Sequence, residues 1–249
     1  MADTKENLLT QAAAFVAGDF VRIVKDLAGT PASQVVSRAI LGNTYLTHAL
    51  ATAVNDFLIA SGAGVFVKKT LAQTLAILGL PVSAQIYLSA AGMNPQATNG
   101  CAALATTSMA TNKQDIRTLD FDEAAIEYAQ SALFAMPSDY NGGTFSYKIL
   151  WMHADTTVDF SVVWAVDAIC YADDGALDAA WGTAVNVTDT GGTTNDIYVS
   201  PISGAVTPGG TPAAGNPILV RVQRVATDAA DTLAIDAGLI GIQITYTRT

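Results

Sequence analysis

FAMPSDYNGGTFSYKILW, residues 134–151, is the stretch on which the reading of the chain turns. Pro137 halts an apolar run, and Asn141-Gly142-Gly143 offers the positive φ that a tight turn needs. Beyond it Phe145, Tyr147, Ile149 and Trp151 alternate with Ser146, Lys148 and Leu150. Period-two alternation with one apolar face marks a half-buried antiparallel strand. The same pattern returns in Ile218–Val225, with Ile218, Val220 and Val222 on one face and Arg221 and Gln223 on the other. It returns again in 240–246, through Ile240, Ile242, Ile244 and Tyr246. Gly- and Pro-rich clusters at Asp173-Asp174-Gly175, Thr190-Gly191-Gly192 and 208–212 punctuate the region. No helical pattern between these strands is long enough for a parallel crossover. Residues 119–249 are therefore expected to form an antiparallel β-sandwich of jelly-roll type.

The N-terminal part reads differently. Asp19–Asp26 and Ser33–Ile40 read as short strands around a turn at Leu27–Pro31, and Tyr45–Ala60 has helical spacing. Gly64–Lys69 reads as another strand. A helix is expected after it, with Thr70 as N-cap, Gly79 just past the end and Pro81 blocking continuation. DFVRIVKD and GVFVKKT look like a degenerate strand-then-helix repeat, too short for a solenoid. The expected fold class is mainly β, the sandwich preceded by a smaller mixed α/β region. The expected division is an attachment or oligomerisation region at 1–80, an Ala/Thr/Ser/Asn-rich linker or extended arm at 81–118, and the jelly roll at 119–249.

Charge is unevenly spread. The whole chain carries −10, but residues 120–249 hold sixteen acidic and four basic side chains, net −12. Such a surface repels phosphate backbones, so nucleic acid is not expected as a partner. No apolar run reaches the roughly 18 residues of a membrane span, and MADTKENLL lacks the pattern of a secretory signal. Synthesis in the cytoplasm is the expectation.

Chemistry-bearing residues are sparse. Cys101 and Cys170 form no metal or redox spacing and read as buried, inert thiols. His48 and His153 have no ligand-spaced neighbours. The carboxylate groupings Asp120/Asp122/Glu123, Asp155/Asp159 and Asp173/Asp174 fall in or beside turns, where Asp bonds its own backbone. The chain is therefore expected to be non-enzymatic, with no cofactor, metal or catalytic residue. Trp151 and Trp164 read as core. Trp181, near a loop, and Tyr140 are the candidates for a glycan contact.

Four segments, MNPQATNGCAA (93–103), 116–151, ALDAAWGTAVNVTDT (176–190) and DTLAIDAGLIGIQITYT (231–247), together resemble a C-terminal module of tailed-bacteriophage structural proteins. DFVRIVKDLAGTPAS is similar to short strand–turn units near the N-terminus of phage fibre and head-decorating proteins. The resemblance implies a virion structural protein, of capsid-decoration (cement) or head or tail fibre type. It would be attached by its N-terminal region to the major capsid protein or another virion protein. It implies a homotrimer with the jelly roll facing outward, where a host glycan is a possible ligand. The side chains expected at the attachment and oligomer interface are Phe20, Val21, Ile23, Val24, Val65, Phe66, Val67, Leu71, Leu75 and Leu78.

Overall fold

The computed structural model describes residues 20–24 and 33–37 by their backbone, and 57–62, 65–154 and 160–249 in full. The chain divides into two compact units, Met1–Leu80 and Pro81–Thr249.

In the first unit, β1 (Phe20–Val24) and β2 (Ser33–Ser37) form an antiparallel hairpin pair. A strand, not a helix, is thus the next described element after β1. β3 (Phe57–Gly62) pairs antiparallel with β4 (Val65–Lys69). The helix expected to run to Ala60 therefore gives way to a strand at Phe57; its residues 45–56, like the turn at 27–31, lie outside the described residues. Val and Phe across the hairpin supply the β-branched and aromatic pairs that favour strand over helix there. α1 (Leu71–Ile77) starts as expected, with a full capping box. Gln73 N–H donates to Thr70 Oγ1 at 3.3 Å and Thr70 N–H to Gln73 Oε1 at 3.1 Å. Leu78 is the C-cap, and Gly79 follows at φ +68°.

The second unit is an antiparallel β-sandwich of jelly-roll type. Its strands are β5 (Ser83–Ser89), β6 (Met93–Pro95), β7 (Ala105–Ser108), β8 (Asp115–Phe121), β9 (Glu127–Ser131) and β10 (Phe134–Ala135). β11 (Tyr140–Met152), β12 (Phe160–Cys170), β13 (Val185–Gly191), β14 (Tyr198–Val199), β15 (Gly209–Gly210), β16 (Pro217–Arg224) and β17 (Ala237–Arg248) follow. One sheet runs β13-β12-β16-β9-β6, with β10 beside β16 and β15 beside β12. The other runs β14-β11-β17-β8-β7, with β5 beside β17. The chain passes from one sheet to the other between β8, β9 and β11, and again between β11 and β12, so neither sheet is built from one continuous meander.

Two expectations are corrected here. Residues 81–118 are not a linker: β5 pairs with β17 from Ser83↔Thr247 to Ser89↔Gly241, β6 pairs with β9, and β7 with β8. Small residues hid strands whose Ile86 and Leu88 pack on the core. Asn141-Gly142-Gly143 is not a turn between strands but lies inside β11, where the register with β17 shifts between Tyr140 and Phe145. Gly142 takes φ +77° to make this bulge. Asn141 Oδ1 accepts from Gly143 N–H at 2.9 Å, and the Tyr140 hydroxyl donates to the Gly143 carbonyl.

Between the sheets, Phe145, Tyr147, Ile149 and Trp151 of β11 face Phe160, Val162, Trp164 and Val166 of β12, all buried. Phe121 meets Trp164 edge-on at 5.2 Å. Arg224 continues the inward face of β16 and has 0% exposure. All five of its N–H donors are used: Asp231 takes two (3.1 and 2.8 Å), the Phe121 and Ile235 carbonyls one each (3.1 and 2.6 Å), and the Leu233 carbonyl the last. This fastens residues 231–235 across the end of the sandwich.

Candidate functional sites

The acidic residues of the sandwich mostly have structural partners. Asp167 takes two bonds from Arg221, Asp189 accepts from Trp151 Nε1 at 2.8 Å, and Asp139 accepts from Tyr246 Oη at 2.8 Å and Arg248 Nε at 2.6 Å. Asp122 Oδ1 caps the turn after β8 by accepting from Ala124 and Ala125 N–H at 2.6 and 3.1 Å. Asp122 takes the local turn role that the sequence suggests, while the partners of Asp167, Asp189 and Asp139 come from elements distant in the sequence. Asp155 and Asp159 lie outside the described residues.

One cluster stands apart. Carboxylate oxygens of Asp122, Glu123 and Asp236 lie within 4.8 Å of one another. Asp120, Glu123 and Asp236 also line a cleft of about 610 Å³ with Thr107, Thr118 and His153. Burial, then the Glu123 charge and a hydrogen bond to Glu123, push the Asp236 carboxyl above the usual carboxylate range. A carboxyl pair that shares a hydrogen bond leaves no room for a sugar or water between its members, unlike the separated pair of a glycosidase. Together the three could offer oxygen ligands to a hard cation. Asp236 was not legible as their neighbour, because β17 brings it to Glu123 from more than a hundred residues away in the sequence.

His153 is a core residue, 2% exposed, stacked on Tyr198 at 5.4 Å and edge-on to Phe160 at 4.5 Å. His48 lies outside the described residues. Both thiols are buried, and desolvation drives Cys101 up to about 12 and raises Cys170, which leaves neither a nucleophile.

Of the two glycan candidates, Tyr140 is corrected. It is 2% exposed and sits edge-on to Tyr246 at 5.9 Å, closing the β11 bulge, so it presents no ring face to a ligand. Trp181 is half-buried over the outer face of the first sheet. The Arg221 guanidinium lies 4.5 Å from its ring and 4.8 Å from that of Tyr128. Asp167 anchors this layer at 2.9 and 2.5 Å. Cation–π contact fixes the indole in place.

In the first unit Val65, Phe66, Leu71 and Leu78 are exposed, Val65 by 53% and Leu78 by 64%, while Val67 and Leu75 are half-buried. Ile77 and Leu80, which the helical pattern did not single out, are exposed as well. Phe20, Val21, Ile23 and Val24 lie on β1, whose side chains are outside the description.

No protein-family model matches the chain, and no curated protein matches it. Among solved structures it is similar to the CBM35 of Cellvibrio japonicus Abf62, with 10% identity and TM-score 0.33, covering 67% of this chain and 99% of that one. The CBM22-2 xylan-binding domain of Paenibacillus barcinonensis Xyn10C gives 11% identity and TM-score 0.39, covering 65% and 99%. The infectious bursal disease virus Gx strain structure gives 7% and 0.34, covering 76% of this chain and 37% of that one. At such scores the likeness carries no argument about ligand or role.

Proposed function

We propose that the protein is a non-enzymatic structural protein of a virion. Its N-terminal unit attaches and oligomerises it on the coat, as a decoration or cement protein, and the sandwich is displayed outward. The observation that carries this reading is the row of large apolar side chains that the first unit leaves uncovered: Val65, Phe66, Leu71, Ile77, Leu78 and Leu80. Among the described side chains of this unit only Thr74 is buried, and apolar surface clustered on one short segment marks an interaction site. The order of sequence segments across 93–247, which resembles phage structural proteins, supports the assignment to a virion. Many weak contacts repeated over a lattice supply the avidity that such a small surface needs.

The test is immunogold electron microscopy of intact particles with antibody to residues 120–249, for the parent chain and for Phe66→Asp/Leu78→Asp. Label spread over capsid faces, lost in the variant, is the expected result. Label confined to the tail makes the protein a fibre or adaptor, and unlabelled particles remove the virion reading.

A second reading makes the sandwich a glycan-binding module. Its support is the half-exposed Trp181, held ring-to-guanidinium on the outer face of a sheet, because aromatic rings held in place at a surface are what sugar recognition uses. The first reading concerns where the protein sits, and the second what its outer domain touches.

A further inference from the structure

We infer that the outer face of the second sheet carries a stacking site for a neutral saccharide, centred on Tyr87 lying over Gly241. This rests on the glycan-binding reading and moves its site to the opposite sheet from Trp181.

Alternation along β5 sends Ile86 and Leu88 into the core and Gln85, Tyr87 and Ser89 outward. Tyr87 stands opposite Gln243 of β17, and Ser89 opposite Gly241. The Tyr87 ring does not rise from the sheet but leans diagonally over Gly241. A Cβ at position 241 would fall 2.4 Å from Tyr87 Oη and 2.6 Å from Cζ. Only glycine lets the ring lie that close to the β17 backbone. The hydroxyl donates to the Ile240 carbonyl at 3.4 Å, which holds the ring down at its far end. With one side against the sheet, Tyr87 is still 52% exposed. An exposed tyrosine on a free edge strand normally extends into water and loses rotamer freedom on binding; this one is already laid flat.

The flanking glutamines are neutral and hydrogen-bonding. Gln243 Nε2 donates to Gln85 Oε1 at 3.0 Å, and Gln85 Nε2 to Thr245 Oγ1 at 3.5 Å. These bonds fix both amides on the same outward face as Tyr87, on its neighbours in the strand pairing, and leave Gln243 its carbonyl oxygen and a second N–H. Lys148 stands opposite Gln243 on β11 and adds one cationic donor. An aromatic face with fixed amides on the same side of the sheet suits the C–H face of a pyranose, whose ring is of similar size, with hydroxyls of a chain laid along the sheet bonding to the amides. Charge selects among saccharides. Residues 120–249 carry net −12, a field against uronates, sialic acids and a second copy of the same acidic domain alike.

The test is affinity electrophoresis of the full-length protein in gels containing mannan, galactomannan, xylan or mixed-linkage β-glucan. At least one gel should retard the parent chain. Tyr87→Ala should weaken that retardation by about tenfold or more. Tyr87→Phe should retain most of it, and Trp181→Ala should change nothing. Unaltered melting of Tyr87→Ala, a substitution on an exposed edge strand, separates lost binding from lost folding. Retardation that survives Tyr87→Ala overturns the Tyr87 site; if Trp181→Ala then abolishes it, the glycan reading stands with its site on the first sheet. No retardation in any gel overturns the glycan reading together with the site.

Discussion

Arg224 is a full charge at zero exposure, and it is tolerable because each N–H has an acceptor and Asp231 supplies the counter-charge. Removing one partner of a buried pair strands the other, at a cost of about 3–5 kcal/mol. Arg224→Met should therefore lower the urea midpoint by a large fraction of the stability of a domain this size. Arg224→Met combined with Asp231→Leu should recover part of the loss, because no uncompensated charge is then left. A single-variant cost below about 1 kcal/mol would mean that water reaches Asp231. Asp236 behaves in the opposite sense. Its carboxyl is raised in the folded state, so the fold holds that proton more tightly than the unfolded chain does. The contribution is favourable at acid pH and is lost as pH climbs from the ordinary Asp value through the raised one. Asp236→Asn should melt higher than the parent at neutral pH, and the gap should close toward pH 4. A gap independent of pH would remove the electrostatic explanation. Asp139 runs the other way: the Tyr246 and Arg248 bonds lower its pKa, so its contribution fades as pH falls.

Among elements, legibility followed alternation. β11, β16 and β17 were readable because large apolar residues mark every second position, and the same rule places Arg224 on the inward face of β16, next to Val222. A buried arginine needs a carboxylate, and Asp231 follows seven residues later; that inference was open to the sequence reading. β5 and β7 were not readable, because Ser, Ala and Thr dilute the pattern and the pairing that fixes them comes from β17 and β8, far along the chain. A glycine pair in a long strand can mean a turn or a bulge with equal local chemistry. What decides at Gly142 is that β17 runs on to Arg248 and pairs on both sides of the irregularity. Neither candidate glycan face was legible as a face. Trp181 stands out in the sequence but its guanidinium partner does not, Tyr140 seals the bulge, and Tyr87 lies in a segment whose small-residue composition resembles a linker. Exposure of an aromatic depends on which strands cover it, and that is a property of the sheet order.

For the molecule as a whole, the uneven charge sets how stability responds to solvent. Pro81–Thr249 is one compact unit with seventeen acidic and six basic side chains, so a net eleven negative charges repel one another across it. Three ion pairs, Arg221–Asp167, Arg224–Asp231 and Arg248–Asp139, join acids to arginines of that unit among the described residues; Asp122, Glu127, Asp189 and Asp228 accept hydrogen bonds from neutral donors that leave their charge uncancelled. At about 10 mM salt the screening length is roughly 30 Å, long enough for charges on all sides of the sandwich to interact; at about 0.1 M it shrinks to roughly 10 Å. Unfolding separates the charges, so self-repulsion acts against the folded state and screening relieves it. The sandwich should melt several degrees higher in 0.1 M NaCl than in 10 mM NaCl at neutral pH, and the increment should shrink near pH 4 as carboxylates take up protons. The buried Arg224–Asp231 pair opposes this trend little, because salt screens buried charges weakly. A melting temperature that falls with salt would mean that the arginine pairs outweigh the repulsion among the acids.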